Sequence, residues 1–283
     1  MASPYADLDR PPLSSRALER ALVTPGGLWT RIEVRAETGS TNADVADAAR
    51  RGDPEGLVVV AEQQSAGRGR RDRHWESPPR AGLTLSVLLR PGRPNAERGW
   101  TAAPVGAYGW LPLLAGVALM EAVQRVAVLD AGLKWPNDLI VGGGKCAGIL
   151  AEATDDAVVV GIGLNVSTRA EELPTTTGLP ATSLKLAGAE ASDRDPLLRS
   201  LLRGLASWYA GWRQADGDPE LSGLLAAYRR GCTTIGRSVR ILLPGGSTLD
   251  GDASGVDADG QLVVRTADGI EHRVLAGDVV HVR

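Results

Sequence analysis

Between Gln64 and Trp75 the sequence sets four arginines and two glycines, Gln64-Ser65-Ala66-Gly67-Arg68-Gly69-Arg70-Arg71-Asp72-Arg73-His74-Trp75, directly after the apolar run Leu57 to Ala61. Guanidinium groups are planar, permanently charged forks that match carboxylates and phosphates, and glycines let the backbone take conformations that a side chain forbids. The client of such a loop is an anion. A solvated hairpin tip is the bland alternative, and the coincidence of both glycines with all four arginines weighs against it. Lysine usage adds a second signal. Of 31 basic residues only Lys134, Lys145 and Lys185 are lysine, so arginine supplies positive charge throughout, and Lys134 and Lys145 look chosen.

Other polar groups fall at predicted strand ends and loops: Ser40-Thr41-Asn42 at the start of a helix, Gln64, Lys134 with Asn137 and Asp138, Lys145, and Asn165. Thr41 and Asp44 approximate a capping box, while hydroxyl and amide groups at a helix N-terminus also suit a polar ligand head. Both readings stand at this level. The three histidines (His74, His272 and His281) lie near no reactive Ser or Cys in pattern. Fixed positive charges without a nucleophile suit the approach of two anions, such as a carboxylate and a triphosphate, and stabilise charge developing at the α-phosphate. The implied chemistry is carboxylate activation.

Several motifs fail on mechanism. Gly67-Arg68-Gly69 lacks the third glycine of a dinucleotide fingerprint, and Gly144-Lys145-Cys146 lacks the hydroxyl residue of a phosphate loop. Asp250 to Gly255 imitates the opening of a calcium loop, but Gln261 stands where a bidentate glutamate is needed, so the segment reads as a turn.

The elements that must carry these groups follow from periodicity. Ser14 to Val23 reads as a helix, Trp29 to Arg35 as a strand, Thr41 to about Gly52 as a helix, and Leu57 to Glu62 and Gly82 to Leu89 as strands. A connection of about twenty residues between the last two is of the length that is usually functional. Val105 to Val128 contains an apolar core helix. Gly132 to Trp135, Leu139 to Val141, Lys145 to Ala153 and Val158 to Val166 follow as strands, then helices over Pro196 to Trp212 and Pro219 to Arg229. After Gly231 come short β-runs (Ser238 to Leu243, Gly260 to Thr266, Glu271 to Leu275, Val279 to Val282) as in a small β-barrel. The expected class is α+β: a mixed sheet with helices on one side, plus that barrel. The expected division is an extension over 1–29, a catalytic domain over 30–231 and a barrel over 232–283.

At 283 residues with 43% hydrophobic content the chain can bury a full core. A net charge of -3 gives the whole molecule no footprint for nucleic acid. No apolar run reads as long enough to span a bilayer, and the polar N-terminus lacks the order of a signal peptide, so a cytoplasmic protein without membrane partners is expected. Cys146 and Cys232 read as plain buried thiols, and no metal site is expected in the protein itself. About thirty residues before the first strand are too few for a helix-turn-helix domain, so no DNA partner is expected.

Taken jointly, Gln64-x-x-Gly67-Arg68-Gly69-Arg70-Arg71, Lys134-Trp135-Pro136-Asn137-Asp138-Leu139, Lys145-x-x-Gly148-Ile149-Leu150, Gly161-Ile162-Gly163-Leu164-Asn165 and the Ser40-Thr41-Asn42 triplet resemble bacterial biotin protein ligases in order and spacing, over about residues 30 to 283. The short N-terminus resembles their ligase-only group. The resemblance implies a class II synthetase-like catalytic fold and an SH3-like C-terminal barrel. It implies a two-step reaction: biotin and ATP, with magnesium carried by the ATP, give biotinyl-5′-AMP, and a lysine of a biotin carboxyl carrier domain then takes the biotinyl group. It places Ser40, Thr41, Asn42, Gln64, Gly67, Arg68, Gly69, Arg70, Lys145 and Gly148 around biotin. Arg70, Arg71, Arg73, Trp75, Lys134, Asn137 and Asn165 go to ATP, with Trp75 near the adenine. Lys145, Arg68, Arg70 and Asp138 become the catalytic set, Asp138 orienting or deprotonating the acceptor lysine. Self-association as a homodimer is a further possibility in such a family. Two rivals remain: a lipoate ligase with the same adenylate chemistry, and a nucleic-acid-binding protein that uses the arginine loop as a basic arm.

Overall fold

Leu57-Val58-Val59-Val60-Ala61 shows no alternation of polar and apolar residues, and every one of its side chains is buried. Such a run needs cover on both faces, and the architecture supplies it. The computed structural model of the chain describes residues 10–70, 73–175 and 179–281. In chain order it contains α1 (Ser15–Leu22), β1 (Arg31–Arg35), α2 (Thr41–Arg50), β2 (Leu57–Ala61), β3 (Gly82–Leu89), α3 (Trp110–Val126), β4 (Ala131–Lys134), β5 (Asp138–Val141), β6 (Gly144–Thr154), β7 (Ala157–Asn165), α4 (Arg194–Gln214), α5 (Leu224–Gly231), β8 (Ser238–Leu242), β9 (Thr248–Val256), β10 (Leu262–Arg265), β11 (Glu271–Val274) and β12 (Asp278–His281). The class is α+β, as the sequence predicts.

Seven strands form one mixed sheet in the order β1-β2-β3-β7-β6-β5-β4, with β1 and β2 parallel and the other pairs antiparallel. Period-two alternation sends Val58, Val60, Leu83, Leu85, Val87, Val160 and Ile162 to one face, where α3 and α4 complete the main core. Leu57, Val59, Leu88 and Val159 point the other way and meet Val45, Ala48 and Ala49 of α2. One helix therefore departs from the one-sided layout. With ten residues α2 is about 15 Å long and covers only part of that face. The uncovered remainder of the sheet is where a ligand can lie.

The segment Val105–Val126 has the length and hydropathy of a membrane span, contrary to the expectation that no run reaches that length. Its helix α3 is nevertheless a core element, with Leu113, Leu114, Val117, Leu119 and Val123 all buried. Helix α5 begins five residues later than predicted. Asp218 Oδ1 accepts from the amides of Glu220 and Leu221 and holds Pro219 to Gly223 as a turn, which Gly223 ends in the left-handed region at φ +75°.

The five C-terminal strands form an antiparallel sheet in the order β11-β10-β9-β8-β12, the small barrel expected from the sequence. The predicted turn at Asp250 to Gly255 is wrong: these residues lie inside β9, paired with β8 on one side and β10 on the other. Cross-strand pairs explain the acidic run, since Arg240 forks onto Asp250 at 2.7 and 2.9 Å and Ser238 Oγ donates to Asp252 at 2.6 Å. Two indole donors fix the barrel to the rest of the protein, Trp110 Nε1 to Ala258 O at 2.7 Å and Trp135 Nε1 to Gly260 O at 3.0 Å. That docking brings β12 against the uncovered part of the large sheet.

Candidate active site

A cavity of about 940 Å³ occupies the space between the open sheet face, residues 64–70 and 73–76, and the edge of the barrel. Its floor is made of positions that share one face across three strands: Thr84 and Ser86 on β3, Gly163 and Gly161 opposite them on β7, and Gly148 and Leu150 on β6. The glycines make this possible. A Cβ at Gly161 would collide with the Asn42 amide, and one at Gly163 would collide with the Trp75 ring. The glycine pair of Gly161-Ile162-Gly163 is thus a cradle that lets two side chains lie flat on the sheet.

At the α2 end of the cavity the polar groups form a connected network. Thr41 N donates to Gln64 Oε1 at 2.8 Å, and Thr41 Oγ1 lies 3.0 Å from the same oxygen. Buried Ser86 Oγ stands 2.7 Å from Thr41 Oγ1 and 2.6 Å from Asn42 Oδ1. Asn42 Nδ2 donates to Glu152 Oε2 at 2.6 Å. The capping-box reading of Thr41 fails here. Ser40, not Thr41, is the N-cap, and it makes no side-chain cap bond, while Asp44 pairs with Arg35 at 2.8 Å and accepts from Thr38 Oγ1 at 2.7 Å. Thr41 points its hydroxyl to the network instead.

The arginine loop folds as a small hairpin over this end. Trp75 N donates to Gly67 O at 2.9 Å, Gly69 N to Arg73 O at 2.6 Å, and Arg68 bridges to His74. Arg68 Nη2 reaches Glu152 Oε1 at 3.3 Å, Arg70 Nη1 donates to Asn137 Oδ1 at 3.2 Å, and Arg73 pairs with Asp278 of the barrel. The hairpin therefore touches β6, the β4–β5 turn and β12 together.

The opposite end of the cavity is cationic. Lys145 Nζ lies 2.7 Å from Asp138 Oδ1, close as an ion pair but not aligned as a hydrogen bond. A β-bulge aims the lysine. Leu139 pairs with Ala147 but Ile140 pairs with Lys145, so Cys146 is the extra residue and both Cys146 and Ala147 face the core. Strict alternation from Gly148 would send Lys145 into the core, and the bulge reverses its parity. The Cys146 thiol, donating to Asn165 O at 3.4 Å, is pushed by burial up to about 12 and is inert. Lys134 sits opposite Asp138 in the β4–β5 register, and burial lowers its pKa, an effect that Asp138 opposes and Lys145 reinforces. Asn137 Nδ2 is held by Ile149 O and Asn165 Nδ2 by Thr182 O, both at 3.0 Å, which leaves the oxygen of the Asn165 amide as its acceptor end.

Of the residues singled out from sequence, Ser40, Thr41, Asn42, Gln64, Arg68, Gly69, Arg70, Arg73, Trp75, Lys134, Asn137, Asp138, Lys145, Gly148 and Asn165 all line this one cavity. Gly67 stays behind it: a side chain there would strike the Trp75 carbonyl, so its part is to shape the hairpin. Arg71 lies outside the described residues. Sequence reading missed Thr84, Ser86 and Glu152, although two hydroxyl residues alternating within the otherwise apolar Gly82–Leu89 strand were a usable signal. It also missed Pro174, Thr175 and Leu179 to Ala181, which reach the cavity because Lys145 N donates to Pro180 O at 2.8 Å, and the barrel residues Gly277 to His281. Those contacts are long-range, with no local signature.

Comparison with known proteins agrees with this geometry. The profile of the Biotin/lipoate A/B protein ligase family matches residues 38–167, and that of the biotin protein ligase C-terminal domain matches residues 234–282. A biotin–[acetyl-CoA-carboxylase] ligase of Mycobacterium tuberculosis is 43% identical over 278 residues, 97% of either chain. The bifunctional ligase/repressor BirA of Escherichia coli is 34% identical over 230 residues, which are 79% of this chain and 66% of that one. The structure of a biotin protein ligase from Aquifex aeolicus in complex with biotin and ATP superposes with a TM-score of 0.72 at 25% identity, covering 90% of this chain and 100% of that one.

Proposed function

The chain belongs to the biotin/lipoate A/B protein ligase family, and on that premise we propose that its cavity joins biotin to ATP and passes the activated acid to a carrier protein. The enzyme is a biotin–carboxylase ligase. The biotin carboxylate oxygen attacks the α-phosphorus of ATP, the bond to the β-phosphate oxygen breaks and pyrophosphate leaves. The amine of a carrier lysine then attacks the carbonyl carbon of biotinyl-5′-AMP, loses a proton, and AMP departs. Magnesium accompanies the ATP phosphates and supplies charge neutralisation there.

The observation that carries the reading is the polarity of the cavity. A hydrogen-bonding network of Thr41, Gln64, Ser86 and Asn42, backed by Glu152, closes one end and a cluster of Lys134, Lys145 and Asp138 the other, with the arginine hairpin above. Thr41 and Gln64 suit the polar ring end of biotin, and the three N–H donors of Lys145 suit its carboxylate and the α-phosphate oxygens together. Arg70, Arg73 and Lys134 would hold the triphosphate, the oxygen of Asn165 would serve its magnesium, and Trp75 would pack against the nucleotide. Asp138 is held by Lys145 in the free protein. Once the phosphate oxygens draw Lys145 away, the carboxylate can take the proton of the incoming lysine. Lipoate as the acid is disfavoured by the Mycobacterium tuberculosis relative, whose name specifies biotin.

The test is pyrophosphate release from ATP by the purified protein with biotin, lipoate or octanoate. Biotin-dependent release is expected, falling about a hundredfold or more in Lys145→Ala, because preorganised charges aimed at a transition state contribute on that scale. Release with lipoate alone would overturn the choice of acid.

A further inference from the structure

We propose that Glu152 is a positioning residue for the arginine hairpin: it ties Arg68 down at the ring end of the acid and fixes the direction of the hydrogen bonds that Thr41 offers there. The proposal rests on the biotin-ligase reading above. Glu152 lies on β6 on the same face as Gly148 and Leu150, about a third exposed, with both carboxylate oxygens engaged. Oε1 meets Arg68 Nη2 at 3.3 Å, and Oε2 accepts from Asn42 Nδ2 at 2.6 Å.

The direction of the network follows from counting protons. Neither a carboxylate nor a main-chain carbonyl has one to give, so the amide nitrogen of Asn42 must point to Glu152 Oε2 at 2.6 Å and, more weakly, to Leu150 O at 3.4 Å, and its Oδ1 must point to Ser86. Oδ1 cannot donate either, so the single Ser86 proton goes to it. The one Thr41 proton then has two neighbours, Ser86 Oγ at 2.7 Å and Gln64 Oε1 at 3.0 Å, and the shorter contact has no other proton to use. Gln64 Oε1 also accepts from the Thr41 amide, and the Gln64 Nε2 remains as a donor. Thr41 offers lone pairs and Gln64 offers N–H groups, in an order set by a residue that itself lies two side chains away from Thr41. Ser86, Asn42 and Thr41 are all buried, so a reversed network could not be rescued by bulk water.

Two substitutions separate the two contacts. Glu152→Gln keeps an acceptor for Asn42 but removes the charge that holds Arg68. Its KM for biotin in pyrophosphate exchange should rise about two- to fivefold with kcat little changed, the size of a partly exposed ion pair. Glu152→Ala removes both contacts and should lower kcat/KM about ten- to hundredfold by orphaning the Asn42 donor. The deciding measurement is a double-mutant cycle with Arg68→Ala. If Glu152 acts through Arg68, Glu152→Gln should change KM by less than about 1.5-fold in the Arg68→Ala background. Additive penalties, or a Glu152→Gln enzyme indistinguishable from the wild type, would overturn the assignment. Absence of biotin-dependent exchange in the wild type would overturn the functional reading and the role of Glu152 with it.

Discussion

Two populations of arginine live in this protein. Arg90, Arg194 and Arg213 are buried, and each is anchored on main-chain carbonyls, with Arg90 and Arg194 paired in addition to Asp156 and Glu62. Arg90 reaches Asp53 O and Ala49 O at 2.9 and 3.0 Å, Arg194 reaches Pro11 O at 2.6 Å, and Arg213 reaches Arg93 O and Thr101 O at 2.7 and 2.8 Å. Arg213 also lies 5.0 Å from the Trp100 ring centroid. Arg68 and Arg73 in the hairpin have side chains 53% and 65% exposed and are held by acidic side chains instead. The side chain is the same in both places. What differs is whether the guanidinium is buried and tied to a rigid backbone, which makes a cross-link, or exposed and held by carboxylates alone, which a ligand can replace and which makes a clamp.

Arg213→Ala should show the cross-link side most strongly. Removing it takes the donor from the partly buried carbonyls of Arg93 and Thr101 and strips the stacking on Trp100 and Tyr209. The expected loss is roughly 3 kcal/mol, or a fall in Tm of roughly 6–12 °C, with kcat/KM per folded molecule unchanged. A variant that kept its Tm and lost activity would break the distinction between the two populations.

Arg70→Ala should do the reverse. One charge-assisted bond to a substrate oxygen is worth about tenfold in adenylation, while the 3.2 Å bond to Asn137 adds little to stability, so Tm should move by no more than about 2 °C. Thermal melts and biotin-dependent pyrophosphate release on the same preparations measure both quantities. Equal effects of the two substitutions on Tm would mean that the hairpin is scaffold as well.

The local part of this design was legible in the sequence. Strand and helix periodicity gave the large sheet, the glycine–arginine spacing singled out the loop after β2, and scarcity singled out Lys134 and Lys145; that the loop folds as a hairpin was not read from it. The sorting of arginines was not legible, because Arg213 and Arg70 look alike until α4 is packed against the ends of β3. The aim of Lys145 depends on the bulge at Cys146, which appears only when β6 is paired with β5. Asp250 and Asp252 read as turn residues because their cross-strand partners Arg240 and Ser238 are 10 and 14 residues away. Glu152 and Ser86 matter through Asn42, Arg68 and Thr41, contacts that in the Asn42 to Glu152 case span more than a hundred residues of chain. Pairing that skips along the chain leaves no period to read.

His281 offers the smallest test, at the barrel side of the cavity, where the cations are fixed rather than clamping. Its pKa is lowered to about 4, first by burial and then by the charges of Lys134 and Arg237. The neutral ring is also the one that fits. Thr234 Oγ1 accepts from Trp135 N at 3.1 Å, so its own proton is available to His281 Nε2 at 3.2 Å, and a protonated ring would set two donors against each other. The unfolded chain takes up a proton near pH 6.5 that the native protein refuses until about pH 4. This contribution to stability is therefore complete above the unfolded value and lost as the pH falls between the two. The ring is half-exposed, so the fall in Tm across that window should be only about 2–4 °C, and His281→Gln should flatten it. Arg237→Ala, which removes one of the two cations, should raise the His281 pKa in an NMR titration. An unmoved value would mean that burial alone keeps the ring neutral, and that the barrel side of the cavity lacks the fixed positive field that separates it from the arginine hairpin.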